Sequence, residues 1–154
     1  MSREETEDKK YKIQCECVKW FREKYPHYVL FSTMNNTASA RWKYYEKSGL
    51  YRGVADLILV ADGRVLFINI QQNYAPQSTY QNKFSAKVKA LGYPFRTVRC
   101  LETFQECVIV WLLGGDVEKV PDYWLYERKR RTKHCEVSYV ETRGFKKRSF
   151  KYND

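Results

Sequence analysis

The sequence predicts an α/β fold in which helices flank a mixed β-sheet. Two apolar runs, residues 53–60 and 65–71, are separated by an Asp-Gly turn signal, which is typical of a β-hairpin. In both runs most neighbouring positions are apolar, so apolar side chains point to both faces of each strand. This pattern is expected for strands that are buried on both faces. A helical pattern then leads to a third run at 95–99, and such a crossover favours parallel pairing.

The first helix is predicted over residues 12–25. Ile13, Cys17 and Phe21 recur every four residues, which is the spacing of one helix face. Pro26 ends the pattern, since proline cannot continue a helix.

Three short segments connect this helix to the hairpin. Residues 29–33 are predicted as a strand, 35–39 as a polar loop and 41–48 as a helix rich in aromatic residues and lysine. Gly49 is a suitable helix stop.

Two helices follow the hairpin. Ser78 can cap a helix that runs to about Leu91, with Phe84 and Val88 on its apolar face. A further helix is predicted over residues 101–113, closed by two glycines.

These elements divide the chain into three predicted segments. Residues 1–11 are a polar tail, 12–115 form the α/β domain, and 116–154 form a basic, aromatic extension. Within the extension, residues 136–142 alternate as a strand does.

The charge balance narrows the classes of partner. The 154 residues include 28 basic and 18 acidic side chains, a net charge of +10. Such a balance favours a polyanion as the binding partner, with nucleic acid ahead of a membrane surface. The alternative is that the basic residues only keep the protein soluble. We predict a cytoplasmic protein, because the sequence lacks a membrane span and a signal-peptide core. The five cysteines indicate neither a disulfide framework nor a zinc site.

Three polar side chains are expected to converge at one end of the buried hairpin. Asn69 and Gln71 share a face of the second strand because side chains alternate. Asp56, near the start of the first strand, lies across the hairpin from them. Buried polar groups need partners, so this cluster is either a hydrogen-bonded knot or a functional site.

The stretches GVADLIL, LFINIQ, APQSTYQNKF and ALGYPFRTVRC occur in that order. Together with the upstream QCECVKWFR helix and the loop at Asn35, they resemble the VRR-NUC branch of the PD-(D/E)xK nuclease superfamily. The resemblance covers roughly residues 12–113. It implies a restriction-endonuclease-like core and metal-dependent hydrolysis of phosphodiester bonds, with DNA ahead of RNA as substrate and Mg²⁺ or Mn²⁺ as cofactor.

The resemblance also implies roles for individual residues. Asp56 matches the metal-binding carboxylate, Glu16 matches the carboxylate of the first helix, and Ile70 would offer its backbone carbonyl to the metal. Gln81 matches the family glutamine near the scissile phosphate, and Ser78 begins the same helix.

One part of the family pattern is altered. Asn69-Ile70-Gln71 stands where the family has E-x-K. An amide replaces a carboxylate that a hard cation favours, and Gln71 carries no charge to stabilise the phosphate. Three interpretations stay open: a pseudonuclease that binds nucleic acid, a weakened or Mn²⁺-preferring nuclease, and a substituted variant of an active enzyme. A protein-interaction module, such as a phage or host-defence factor, is the alternative from another class.

Basic and polar residues around this end of the sheet are candidate contacts to phosphate. A dense basic run in the extension would raise the affinity for polyanions further, and the aromatics among it would either stack on bases or pack onto the domain. The candidates are Asn35, Arg41, Lys43, Arg52, Ser78, Lys83, Arg128, Lys129, Arg130, Arg131 and Lys133.

Overall fold

A computed structural model describes residues 3–34, 41–126, 135–142 and 145–152. The chain divides into two compact units, Met1–Val120 and Pro121–Asp154. The first unit contains the polar cluster expected from the sequence.

The first unit is a mixed sheet with helices on both sides, which confirms the predicted α/β class. The strand order is β1-β2-β3-β4, in which β1, β2 and β3 pair antiparallel and β3 and β4 pair parallel. The elements are α1 (Arg3–Lys24), β1 (Val29–Ser32), α2 (Trp42–Lys47), β2 (Leu57–Ala61), β3 (Arg64–Ile70), α3 (Thr79–Ala90), β4 (Phe95–Val98), α4 (Leu101–Leu112) and a 3-10 helix (Val117–Lys119).

The hairpin and the crossover both follow the sequence signals. Asp62 and Gly63 adopt φ angles of 46° and 71° between β2 and β3, the left-handed backbone that an Asp-Gly turn provides. α3 connects β3 to β4 as a crossover, and the parallel register places Asn69 opposite Thr97.

One face of the sheet carries the main core. Alternate residues of β2 and β3, among them Leu57 and Ile68, pack there with α1 and α4. Phe21 of α1 and Phe104 of α4 are completely buried against them. The four-residue spacing that predicts α1 therefore reflects this apolar contact.

The opposite face is covered by α3 over a smaller apolar cluster. Phe84 and Val88 of α3 pack with Ala55 and Phe95. Phe67 contributes from β3 and lies edge-on to Phe84 at a centroid distance of 5.5 Å. Beyond Phe67 at every second residue on this face come Asn69, within β3, and Gln71, which directly follows the last residue of β3.

Two boundaries differ from the sequence-based expectation. Helix α1 begins at Arg3, so most of the predicted tail at 1–11 is helical. A helix exposed to solvent on all sides has no periodic apolar face. Its charged sequence therefore cannot be distinguished from an unstructured tail by hydrophobic periodicity. β2 begins at Leu57 rather than at residue 53, since Gly53 has a φ of +78° and interrupts an extended chain.

The second unit contains an antiparallel pair of strands. β5 (Cys135–Thr142) pairs with β6 (Phe145–Tyr152), with Val137 opposite Phe150. β5 fits the strand predicted over residues 136–142. The sequence does not predict β6, because consecutive lysine and arginine residues at 146–148 interrupt the alternation of apolar and polar side chains. Within the described ranges, no helix has the length and apolar character that crossing a bilayer requires.

Candidate functional site

Asp56 lies at the entrance to β2 and is held there by the end of β1. Thr33 donates its backbone N–H to the Asp56 carbonyl at 3.1 Å and its hydroxyl to the Ala55 carbonyl at 2.7 Å. Only 4% of Asp56 is exposed. A carboxylate this deeply buried must find hydrogen-bond or charge partners within the protein.

Both carboxylate oxygens of Asp56 have such partners. The backbone N–H of Ile70 donates to Oδ2 at 2.8 Å, and Nζ of Lys10 lies 3.1 Å from Oδ1. Lys10 is about a quarter exposed, so the ion pair lies at the edge of the core. Asp56 is thus neutralised by a cation from α1 and fixed to β3 by the Ile70 amide.

Lys10 is the member of this cluster that the sequence interpretation missed. It falls in the predicted tail, yet it precedes Ile13 by three residues and Cys17 by seven. Those spacings place all three on one helix face. Extending the apolar pattern back by one turn places Lys10 on the buried face of α1, but the pattern does not identify Asp56 as its partner.

Asn69 is completely buried beside Asp56, as the alternation of β3 predicts. Its Oδ1 accepts the backbone N–H of Asp56 at 3.3 Å. Its Nδ2 is buried with no hydrogen-bond partner among the described residues. An unsatisfied buried amide costs about 1–3 kcal/mol, so Asn69 is not explained by stability.

Gln71 and Gln81 extend the cluster towards α3. Nε2 of Gln71 lies 3.5 Å from Oε1 of Gln81, at the limit of a hydrogen bond. Gln81 also completes a capping box with Ser78, in which each side chain bonds the backbone N–H of the other residue. The amide of Gln81 therefore has a structural partner as well as a position next to Gln71.

Glu16 is not the α1 residue that reaches Asp56. Six residues separate it from Lys10, which corresponds to about 9 Å along the helix axis and about 120° around it. Its side chain is exposed. Ile70 contacts Asp56 through its N–H, whereas the expected role used its carbonyl.

The side chains of this cluster do not fit a divalent metal. Within the described part of the chain, no three His, Cys, Asp or Glu side chains group as a metal site. Asp56 is the single carboxylate of the cluster, and the Lys10 ammonium occupies one of its oxygens. Mg²⁺ favours carboxylate oxygens in near-octahedral geometry, and an adjacent ammonium opposes a second cation.

Among the described side chains, the thiols do not group as a metal site either. Cys17 is completely buried under the main core, and this burial raises the pKa of its thiol, with Cys100 contributing to the same shift. Cys15 is exposed, so the two residues of the C-x-C motif face different environments.

The described basic candidates lie around α2 and the start of α3. Arg41, Lys43 and Lys83 are exposed, and Arg52 is half-buried. Ser78, also a candidate, is exposed at the start of α3. Six predicted contacts lie outside the described residues, namely Asn35, Arg128, Lys129, Arg130, Arg131 and Lys133.

A concavity lies at the opposite end of β3 from this cluster. It has a volume of about 470 Å³ and is lined in part by Arg64, Tyr93 and Trp111. Arg64 donates to the carbonyls of Trp111 and Leu112 at 2.7 and 3.3 Å. Its guanidinium is committed to the end of α4, and Lys89 and Glu118, which also line the concavity, pair with each other, so these charged groups already have partners within the protein.

Comparison with solved structures identifies a similar fold. The chain superposes on a VRR_NUC domain protein with a TM-score of 0.54 and 16% sequence identity, covering 70% of this chain and 90% of that one. No protein-family model and no curated protein matches the sequence. The likeness supports the VRR-NUC fold inferred from the order of the sequence motifs.

Proposed function

We propose that this protein binds nucleic acid on a nuclease-like fold without hydrolysing it. The observation that carries the proposal is the ion pair between Lys10 and Asp56. Asp56 occupies the position at which the resemblance expects a metal-binding carboxylate. In this chain that carboxylate is bound by an ammonium group of the protein itself.

The remaining polar groups are poorly suited to hydrolysis. A general base must be within hydrogen-bond reach of the attacking water and have a free lone pair directed at it. Each Asp56 oxygen already accepts one hydrogen bond, which leaves one lone pair on each oxygen, while the Gln71 and Gln81 amides contact each other and are not bases. Neither glutamine carries charge to stabilise a developing phosphate anion.

Electrostatics favour retention of nucleic-acid binding. The chain has a net charge of +10, and exposed Lys43 and Lys83 lie on α2 and α3, of which α3 carries Gln81 of the cluster. Contacts between such side chains and phosphates release counterions, which strengthens binding without sequence readout. The proposed partner is nucleic acid, with DNA ahead of RNA.

A metal-dependent endonuclease is the second candidate. The observation that favours it is the partial exposure of Lys10, about a quarter of its side chain. A lysine at the edge of the core can move away from Asp56 at lower cost than a fully buried one. The two candidates differ in whether Asp56-dependent cleavage is detectable.

The first experiment measures binding and cleavage in the same samples. Labelled single-stranded, duplex and branched DNA are titrated with protein across a salt series, then incubated with Mg²⁺ or Mn²⁺, with Asp56→Ala as the matched control. We expect affinity to fall by about 10²-fold between about 50 and 200 mM salt if four phosphates are contacted. We expect no cleavage above the Asp56→Ala background.

Two outcomes would overturn the proposal. Cleavage that Asp56→Ala abolishes would establish the endonuclease instead. Absence of salt-sensitive binding to every nucleic acid would leave the protein-interaction module as the better interpretation.

A designed reversal tests the role of the ion pair directly. Asn69→Glu with Gln71→Lys restores the E-x-K pattern, and Lys10→Ala removes the competing ammonium. We expect Mn²⁺ binding, measured by isothermal titration, to be strong only in the triple variant. Equal Mn²⁺ affinity with and without Lys10 would show that this lysine does not exclude metal.

A further inference from the structure

A surface of aromatic and basic side chains lies beside the polar cluster. We call it the aromatic-basic surface and define it by residues of α2, of the loop before β2 and of α3. Its members are Trp42, Tyr51, Arg52, Tyr80, Lys83 and Lys87.

Arg52 is the centre of this surface. Its guanidinium carbon lies 5.3 Å from the ring centroid of Trp42 and 5.0 Å from that of Tyr80. It also donates to the Tyr80 hydroxyl at 2.9 Å and pairs with Glu46 at 2.7 Å. These contacts hold the two rings and the cation in one fixed arrangement, which lowers the entropy cost of binding a ligand there.

A second aromatic-cation pair continues the surface along α3. Lys87 donates to the Tyr51 hydroxyl at 3.1 Å and lies 5.6 Å from the centre of its ring. Tyr80, Lys83 and Lys87 are spaced three and four residues apart, so they share one face of α3. Aromatic and positive groups therefore alternate over the surface.

Core packing explains these tyrosine rings only in part, since Tyr51 lies edge-on to the buried Phe84 at a centroid distance of 5.6 Å. Tyr51 and Tyr80 are 47% and 48% exposed, while Phe84 and Val88 already supply the buried side of α3. Large exposed rings fixed next to cations are common in surfaces that bind a partner.

The aromatic-basic surface is joined to the polar cluster through the first turn of α3. Tyr80 immediately precedes Gln81, which contacts Gln71. Gly53 packs directly on this turn, because a Cβ placed there would lie 2.2 Å from the Tyr80 carbonyl carbon. A ligand on the surface would thus continue towards Asp56.

We infer that the aromatic-basic surface binds single-stranded nucleic acid, by stacking unpaired bases on Tyr80 and Tyr51 while Lys83 and Lys87 contact phosphates and Arg52 holds the Tyr80 ring in place. The inference rests on the proposed function and specifies its ligand. Aromatic rings stack on any unpaired base, and neighbouring cations follow the backbone. A duplex offers few free base faces, so the same surface would add little to duplex binding.

The test compares matched tyrosine variants. Tyr80→Ala removes a ring from the surface, and Tyr80→Phe keeps the ring but loses the bond to Arg52. Tyr93→Ala is the control: Tyr93 has nearly the same exposure, 46%, but follows the far end of α3, whose last residue Ala90 lies about 15 Å along the helix from Tyr80. Fluorescence anisotropy measures the affinity of each folded variant for oligo-dT, oligo-rU and a duplex of equal length.

We expect Tyr80→Ala to weaken binding to the single strands by about 10-fold and binding to the duplex by less than about 2-fold. Tyr80→Phe should lose far less, and Tyr93→Ala should match the unmodified protein. The ratio of dT to rU affinities then distinguishes a DNA from an RNA ligand.

The outcomes separate this inference from the proposed function. Salt-sensitive nucleic-acid binding that Tyr80→Ala leaves unchanged, or reduces equally for duplex and single strands, would overturn the stacking surface and leave the proposed function intact. If no oligonucleotide binds, both fail, and the surface would then suit an acidic protein partner.

Discussion

The two faces of the sheet differ in what they bury. The face under α1 and α4 buries a continuous apolar cluster that includes Phe21, Phe104 and Trp111. The face under α3 buries a small apolar cluster and continues into Asn69 and Gln71, both nearly inaccessible to solvent. Because apolar burial is the main stabilising term, the first face accounts for most of the folding free energy. The second face buries polar groups where apolar side chains would stabilise the fold more. This cost in stability is a reason to place the functional site on that face.

The largest expected effect tests the difference in packing. Phe104→Ala, under the main core, should lower the free energy of unfolding by about 4 kcal/mol, within the usual cost of deleting a buried ring. Phe84→Ala on the α3 face should cost about 2–3 kcal/mol, because that cluster is smaller and lies nearer the surface, so it can relax. Urea unfolding followed by circular dichroism measures both. Equal losses of unfolding free energy would show that the two faces contribute more equally to stability than their apolar content indicates.

A glycine pair tests how closely the loop before β2 packs on α3. Gly53 and Gly63 both have positive φ angles, +78° and +71°. A Cβ added at Gly53 would meet the backbone of Tyr80 and Gln81, whereas one added at Gly63 would meet nothing within 4 Å. Gly63→Ala should cost about 1 kcal/mol from backbone strain alone. Gly53→Ala should cost about 2–4 kcal/mol, since overpacking is added to that strain.

The same glycine variants test whether the aromatic-basic surface is fixed next to the polar cluster. Thermal unfolding gives the stability difference, and oligo-dT affinity reports whether α3 has shifted. If Gly53→Ala were as mild as Gly63→Ala, the loop would not be fixed against Tyr80, and the aromatic-basic surface would lose its link to the polar cluster.

The next largest effect on stability is expected from the ion pair between Lys10 and Asp56. Lys10→Met leaves the buried Asp56 carboxylate without its cation and should cost about 2 kcal/mol, less than for a fully buried pair because Lys10 is partly exposed. Asp56→Asn in the Lys10→Met background should restore part of that loss. A double-mutant cycle from urea unfolding measures the coupling. Additive losses would mean that the two side chains do not interact in solution.

The fold could be predicted because its signals are local. An Asp-Gly turn between two apolar runs specifies the hairpin, and a capped helix before the third run specifies the parallel crossover. Asp56 and Asn69 also come together as strand alternation predicts, with Asn69 Oδ1 accepting the Asp56 N–H. Alternation needs only the sequence and the pairing of two adjacent strands.

The composition of the site could be predicted only in part, because Lys10 comes from a distant segment. It is 46 residues from Asp56 and lies in a charged stretch with little apolar periodicity of its own. The family resemblance points instead to Glu16, because that residue matches the carboxylate of the first helix. Which helix residue faces the sheet end depends on how α1 packs, and the sequence does not specify that angle.

The smallest expected effect concerns the helix cap that joins the polar cluster to α3. Ser78 accepts the N–H of Gln81 at 3.2 Å and donates its own N–H to the Gln81 side chain at 2.9 Å. Ser78→Ala removes the first bond and should lower the free energy of unfolding by about 1 kcal/mol. Ser85→Ala, in the interior of the same helix, should instead raise it by a few tenths of a kcal/mol, about the difference in helix propensity.

This pair also tests whether stability and binding are separable on the α3 face. A frayed first turn would move Tyr80 and Gln81 together, so Ser78→Ala should weaken oligo-dT binding by about 2-fold or more, in line with a cap loss of about 1 kcal/mol. Ser85→Ala should leave that affinity unchanged. A Ser78→Ala protein that is less stable but binds oligo-dT normally would show that the helix cap supports the fold alone, and that the bases contact Tyr80 without needing an ordered first turn.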